Sequence, residues 1–386
     1  MITPPLQKKR FEVLDSWRGI CAIIVLLGHF QTYIHHSMNF GTVIGDNYYL
    51  YVDFFFVLSG FVIAKNYLYK LKDSRSVKNF VFLRFARVYP IHLFILFMFF
   101  LLEIVRAYVE GNAMFINQGK SVESLIANLF LLHSMGIIGY NSWNFPSWSI
   151  SVEFYTYITF ALLLMFFTAK RMQFVALIIA AFAPLLLFYC DGVYEADQTF
   201  DFGFIRCLGG FFSGVGCFWV FNRYYEGIER FFSKVPVFWE SLAIVLVVLV
   251  SLNANDTYIS YFSPYLFSYC VLIFACELGG ISRVLKKPPF LFLGMISYSL
   301  YMTHAFVQRV MVSALDIIGR KIGYEVVVLG PSKEDSTDIV KYFDVSLLLA
   351  FGLTVVMLVA VVIFSTITYN LIEKPAYKWV KNRVRS

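Results

Sequence analysis

Charge is what this chain has least of: Asp, Glu, Lys and Arg make up 15% of 386 residues, whereas hydrophobic residues make up 59%. A mean hydropathy of +0.69 accompanies that scarcity and excludes a chain that mostly faces water. The period-two alternation of a membrane barrel is also missing, so helices rather than strands must carry the apolar residues through lipid. Cysteine is sparse. Cys21, Cys190, Cys207, Cys217, Cys270 and Cys276 stand singly in apolar segments, without the spacing of a metal site or a disulfide framework, so they read as packing residues and no metal is expected. No segment repeats at a fixed period. The longest interruption, residues 316–344, is too short for a separate soluble domain. Lys8, Lys9 and Arg10 lead into a first apolar run that holds Asp15, Arg18 and His29 and lacks a small-residue cleavage site, so no cleavable leader is expected.

What is present is a series of apolar runs of about 20 residues, each long enough to cross a hydrocarbon core of about 30 Å as a helix. They predict an all-α polytopic membrane protein in one domain over residues 1–386, with spans near 13–34, 48–68, 80–105, 148–168, 173–190, 202–221, 236–252, 261–278, 290–314 and 344–369. The run 124–138, which contains His133, is short and is read as non-crossing. With ten crossings, most Lys and Arg fall on the side of Arg10, Lys70, Lys78, Lys170, Arg230, Lys286 and Lys378, and the other side receives little more than Lys120, Arg320, Lys321, Lys333 and Lys341. The positive-inside bias then makes both termini cytoplasmic. It also accounts for the net charge of +7 without nucleic acid, since basic residues on the inner rim meet anionic headgroups. The 43 Phe and 25 Tyr are expected at lipid contacts and interface belts.

Ionisable groups inside lipid are costly and therefore informative. Arg18 and His29 share the first span with ten residues between them, and eleven helical steps advance about 16 Å and end about 20° past three whole turns. Both side chains face one way, Arg18 near the inner surface and His29 toward the outer. A guanidinium that holds phosphate and an imidazole that moves a proton suit a donor reaching across the membrane. Asp53, Glu153, Arg206 and His304 fall with His29 in the outer third of the bilayer, a level that predicts a shared polar cavity. Structural alternatives stand beside this reading. A lone intramembrane histidine is more often a hydrogen-bonded packing residue than a catalyst, Asp53 and Glu153 can pair with Arg206 or His304 to hold the bundle, and Arg84 and Arg87 can be ordinary inner-rim charges.

Six local patterns occur in order along nearly the whole chain. They are Leu14-Asp15-Ser16-Trp17-Arg18-Gly19 followed by Gly28-His29-Phe30; Val52-Asp53-Phe54-Phe55-Phe56-Val57-Leu58-Ser59-Gly60-Phe61; Arg84-Phe85-Ala86-Arg87-Val88-Tyr89-Pro90; Pro146-Ser147-Trp148-Ser149-Ile150-Ser151-Val152-Glu153-Phe154-Tyr155; Ile296 through His304; and Glu373-Lys374-Pro375. Together they resemble the acyltransferase-3 family of integral membrane O-acyltransferases. Ser16 and Met302 stand where that family often has other small or aliphatic residues, and the extracytoplasmic hydrolase-like domain of many relatives is not expected here.

The resemblance implies transfer of an acyl group, usually acetyl, from cytoplasmic acyl-coenzyme A to a hydroxyl of an extracytoplasmic glycan such as O-antigen or another surface polysaccharide, at a bacterial cytoplasmic membrane. Acetyl-CoA is then the donor substrate. Arg18, Arg84 and Arg87 are expected to bind its phosphates. His29 is expected to act as general base, with Glu153 or Asp53 fixing its tautomer, and Trp148, Ser149, Arg206 and His304 are the candidates for holding the oxyanion or the acceptor. Passage of the acetyl group through His29 or Ser149 as a covalent carrier is a second route. A transporter or flippase for a lipid-linked glycan is the alternative from another class. Against it, the two halves show no inverted repeat and no matching pair of broken helices.

Overall fold

The computed structural model describes residues 10–34, 46–115, 118–191, 197–254, 257–331 and 339–385. Lys8, Lys9 and Lys333, and most of the first outer loop expected at 39–47, lie outside the described residues. The helices are α1 (Glu12–Gln31), α2 (Leu50–Tyr67), α3 (Ser74–Glu110), α4 (Val122–Leu129), α5 (Trp148–Phe166), α6 (Ala169–Asp191) and α7 (Gly203–Ser233). They continue as α8 (Pro236–Asn253), α9 (Ser263–Cys276), α10 (Gly280–Leu285), α11 (Pro288–Ile322), α12 (Leu347–Thr368) and α13 (Lys374–Arg385). Between α11 and α12 lie two strands, β1 (Val327–Pro331) and β2 (Ile339–Phe343).

Among the described residues ten helices are long and apolar enough to cross a membrane, and each coincides with one of the expected spans. The protein is an all-α polytopic membrane protein. The eight residues of α4 are too short to cross. Its apolar Val122 and Ile126 face outward and are exposed, as in a helix lying along an interface.

Local chemistry sets the helix ends. Asp73 accepts from the Ser76 backbone N–H at 2.8 Å while Ser76 Oγ accepts from the Asp73 N–H at 3.2 Å, a capping box that starts α3. Gly111 ends it at φ +66°. Prolines open α8 and α11, where a missing N–H costs nothing. With 37 residues, α3 is about 55 Å long and overreaches the hydrocarbon core. Its inner end carries Arg75 and Lys78 into the headgroup region.

Three findings depart from the sequence reading. The antiparallel pair β1 and β2, in register from Val327 opposite Phe343 to Pro331 opposite Ile339, is a small exception to the helical pattern. It is tied to the end of α1 by the Phe343 N–H donating to Tyr33 O at 2.7 Å. Second, Arg106 near the end of α3 and Arg309 in the outer half of α11 add to the outer cations. Arg106 pairs with the fully buried Glu103, which also accepts from Lys120 Nζ at 3.1 Å. Third, the aromatic residues are not mainly lipid-facing. Phe56, Phe61, Phe160, Phe211, Phe212, Phe218, Phe221 and Phe274 are among the largest fully buried side chains, and edge-on pairs such as Phe61 with Phe218 at 5.5 Å fill the bundle core.

Candidate active site

Helices α1 and α11 run side by side, and glycines allow it. A Cβ on Gly19 would lie 2.6 Å from the Leu293 carbonyl carbon, and one on Gly294 would lie 2.3 Å from Asp15 O. Contact that close is open only to residues without a side chain. Farther out, Gln308 Nε2 donates to Leu26 O at 3.0 Å. Next to this second tie His29 and His304 meet. His29 Nδ1 is 2.8 Å from His304 Nε2, and the two rings lie parallel with centroids 5.0 Å apart. Tyr48 and Phe145 set their rings edge-on to His29 at 4.8 and 4.6 Å. His304 is fully buried and His29 is half-buried. Among the described residues the other ring nitrogen of His29 has no hydrogen-bond partner. If Nδ1 carries the proton and donates to His304, the Nε2 lone pair is left to accept one.

On the inner side of this pair lies a cavity of about 140 Å³, lined by Arg18, Arg84 and Arg87 together with Glu153, Ser149, Tyr157, Ser297, Tyr298 and Tyr301. The three arginines that the sequence marks as phosphate ligands therefore face one space. Arg18 has Asp15 at 4.0 Å. Arg84 lies over the rings of Tyr67 and Tyr157 at 5.7 and 6.0 Å, and its buried Nε has no acceptor among the described residues. Arg87 pairs with Glu373 and lies over the Tyr298 ring at 5.8 Å. Ser297 Oγ is likewise buried without a partner among the described residues. Unpaired buried donors are costly, and here two of them line a cavity rich in guanidinium.

Asp53 and Arg206 form a separate knot. Arg206 Nε is 2.9 Å from Asp53 Oδ1, Nη1 donates to Asp197 Oδ1 at 3.0 Å, and Nη2 donates to Tyr49 O at 2.9 Å. Ser263 Oγ donates to Asp53 Oδ2 at 2.7 Å, and the Trp148 ring stacks on the guanidinium at 5.2 Å. Both charges are buried, and a buried charge is tolerated only with such complete pairing. The level expected to hold one shared polar cavity is thus divided. Asp53 and Arg206 neutralise each other, His29 pairs with His304, and Glu153 faces the arginine cavity, where Tyr157 O–H donates to its Oε1 at 2.6 Å. The group at the His29 ring is His304 rather than Asp53 or Glu153. Depth along a helix does not say which way a side chain points, and each carboxylate turned to the nearest group able to satisfy it.

Two residues at or behind the cavity wall stand in the quoted patterns without an individual role assigned to them. Glu373 is buried, holds Arg87 and accepts from Ser299 Oγ at 2.7 Å. It ends a π-helical turn, Tyr369–Glu373, that joins α12 to α13 and swings its carboxylate inward. The signal available was its place in the Glu373-Lys374-Pro375 pattern, a single acid next to a run of basic residues. Tyr301 lies between the cavity and the histidines, its ring 5.9 Å from that of His304.

Comparison with known proteins identifies the family of the chain. The profile of the family described as an acyltransferase domain of the acyltransferase-3 type matches residues 11–370. Over 113 residues the chain is 34% identical to the acyltransferase MdmB of Streptomyces mycarofaciens, covering 29% of this chain and 27% of that protein. Over 161 residues it is 30% identical to protein 2 in the picA locus of Rhizobium radiobacter, covering 39% of this chain and 79% of that one. The chain thus spans well under half the length of the first relative. No solved structure matches. With the profile running through every helix that carries the arginines and the histidine pair, the chain belongs to the acyltransferase-3 family of membrane acyltransferases.

Proposed function

We propose that this protein is an O-acetyltransferase of a bacterial cytoplasmic membrane, moving acetyl from cytoplasmic acetyl-CoA to a hydroxyl of an extracytoplasmic glycan such as O-antigen or another surface polysaccharide. One observation carries the reading: Arg18, Arg84 and Arg87 converge on a cavity whose far wall, at Tyr301, adjoins the His29–His304 pair. Guanidinium groups bind the donor's phosphates by charge-assisted hydrogen bonds, and the thin pantetheine arm runs outward along the cavity. His29 Nε2 takes the proton of an acceptor hydroxyl arriving from the outer side, a general-base contribution of about 10²–10⁴ in rate. His304 holds the His29 ring in place and shares the positive charge that develops. Glu153 stands among the arginines, where it spaces them and limits their net charge until the donor enters.

The test supplies radiolabelled acetyl-CoA to inside-out membrane vesicles that carry the protein. Label in the glycan fraction is expected, and it is absent from vesicles lacking the protein. Glycan that crosses the membrane without acquiring label would replace the enzyme with a transporter.

A further inference from the structure

The cavity wall nearest the histidines is a phenol whose own proton is unused. Ser149 Oγ stands 2.9 Å from Tyr301 OH and 3.2 Å from Pro146 O and has one proton for the two; with that proton on the shorter contact, the Tyr301 oxygen is the acceptor and the phenol's own proton has no acceptor among the described residues. Tyr301 is buried but lines the cavity. Phe55 and His304 pack against its ring with centroids at 5.8 and 5.9 Å, which restricts the direction of the phenol. On α11, Ser297, Tyr301 and His304 fall four and three residues apart. They form one stripe that runs from the arginine cavity to the histidine pair.

We propose that Tyr301 is a catalytic residue, its O–H donating to the thioester carbonyl oxygen of the donor while Ser149 orients it. This deepens the acetyl-transfer reading and rests on it. As the acceptor oxygen bonds to the acyl carbon, its proton passes to His29 Nε2 and the carbonyl electron pair moves onto oxygen, where Tyr301 O–H holds it. Collapse re-forms the carbonyl and breaks the C–S bond. The departing thiolate takes the proton from the His29 imidazolium, so the protein ends as it began. Two of the other donors expected for the oxyanion are committed elsewhere. Arg206 is saturated by Asp53, Asp197 and Tyr49 O, and His304 is bonded to His29. A hydrogen bond received from Ser149 polarises the phenol and strengthens its donation.

The test measures acetyl transfer from labelled acetyl-CoA to endogenous glycan in inside-out vesicles, and acetyl-CoA binding to the purified full chain. Tyr301→Phe keeps the ring and removes only the donor; kcat is expected to fall about 10²–10³-fold with acetyl-CoA affinity unchanged. Ser149→Ala is expected to lower kcat about fivefold, and the double variant to be no slower than Tyr301→Phe alone. A Tyr301→Phe enzyme with kcat within threefold of wild type overturns the proposal. So does a loss matched by equal loss of acetyl-CoA binding, or single losses that multiply in the double variant. If the wild type itself transfers no label, the acetyl-transfer reading falls and takes this inference with it. An active wild type with an active Tyr301→Phe sinks only the role of Tyr301.

Discussion

His29 Nδ1 stands 2.8 Å from His304 Nε2 although 275 positions separate the two residues. Each histidine lies ten residues beyond a glycine, Gly19 on α1 and Gly294 on α11, where the helices touch backbone to backbone. Equal rise on two helices running the same way brings the imidazoles to one height. A small-residue contact at the inner end therefore sets the geometry of a pair about 15 Å away.

That dependence is testable. Gly294→Val forces a side chain into the backbone of Asp15 and is expected to destabilise the protein by about 1–3 kcal/mol while reducing acyl transfer at least tenfold, since the histidines no longer align. Thermal unfolding in detergent and the vesicle assay read the two effects. Full activity in this variant would detach the helix contact from the site.

Replacing His29 by Ala is expected to lower transfer by about 10²–10⁴-fold with the protein still inserted and abundant. His304→Gln, which can still hydrogen-bond His29, is expected to lose less than His304→Ala. Initial rates at saturating acetyl-CoA separate the three, and equal rates for the two His304 variants would remove the orienting role.

Arg84→Ala and Arg87→Ala are each expected to weaken acetyl-CoA binding about 10- to 100-fold, in line with about 1.5–3 kcal/mol for hydrogen bonds to charged groups. Acceptor affinity should not move. Calorimetric titration of the purified variants decides, and wild-type affinity in both would leave the arginines as topology charges.

Breaking the buried pair through Asp53→Asn leaves Asp197 as the charged partner of Arg206 and is expected to cost about 1–3 kcal/mol in stability. Asp53→Leu combined with Arg206→Met should recover much of that loss. If the double variant is as unstable as the single one, shape rather than charge holds this region.

Outside the spanning helices, burial pushes the His133 imidazole down to about 3, with His92 adding to the effect. The folded protein keeps it neutral, whereas the unfolded chain protonates near 6.5, so its contribution to stability is present above pH 6.5 and is lost as pH falls toward 3. Midpoints of thermal unfolding between pH 7 and pH 5 should drop more steeply in wild type than in His133→Gln. Parallel profiles would exclude His133 as a source of the pH dependence.

Much of this was legible without coordinates. Each of the ten spanning helices was marked by length and hydropathy alone, because lipid leaves a chain no alternative to satisfying its backbone within helices. Arg18, Arg84 and Arg87 were found by type and motif, and they do face one cavity. The spacing of Arg18 and His29 on α1 was equally readable, since helical periodicity is local. The β1–β2 pair escaped notice because two five-residue strands between polar residues carry no hydropathy signal.

What a charged group meets across the bundle was decided only by the tertiary structure. Asp53 and Glu153 looked interchangeable as partners of His29, yet one is locked to Arg206 and the other faces the arginine cavity with Tyr157. The residue beside His29 came from α11 instead. Composition and periodicity determined that this chain has ten helices among the described residues long and apolar enough to cross a membrane, with ionisable groups inside them, because those properties depend on transfer from water to lipid and on rise per residue. The pairing of those groups depends on rotation and crossing of helices far apart in sequence, set by contacts such as Gly19 against Gly294, and no local pattern encodes it.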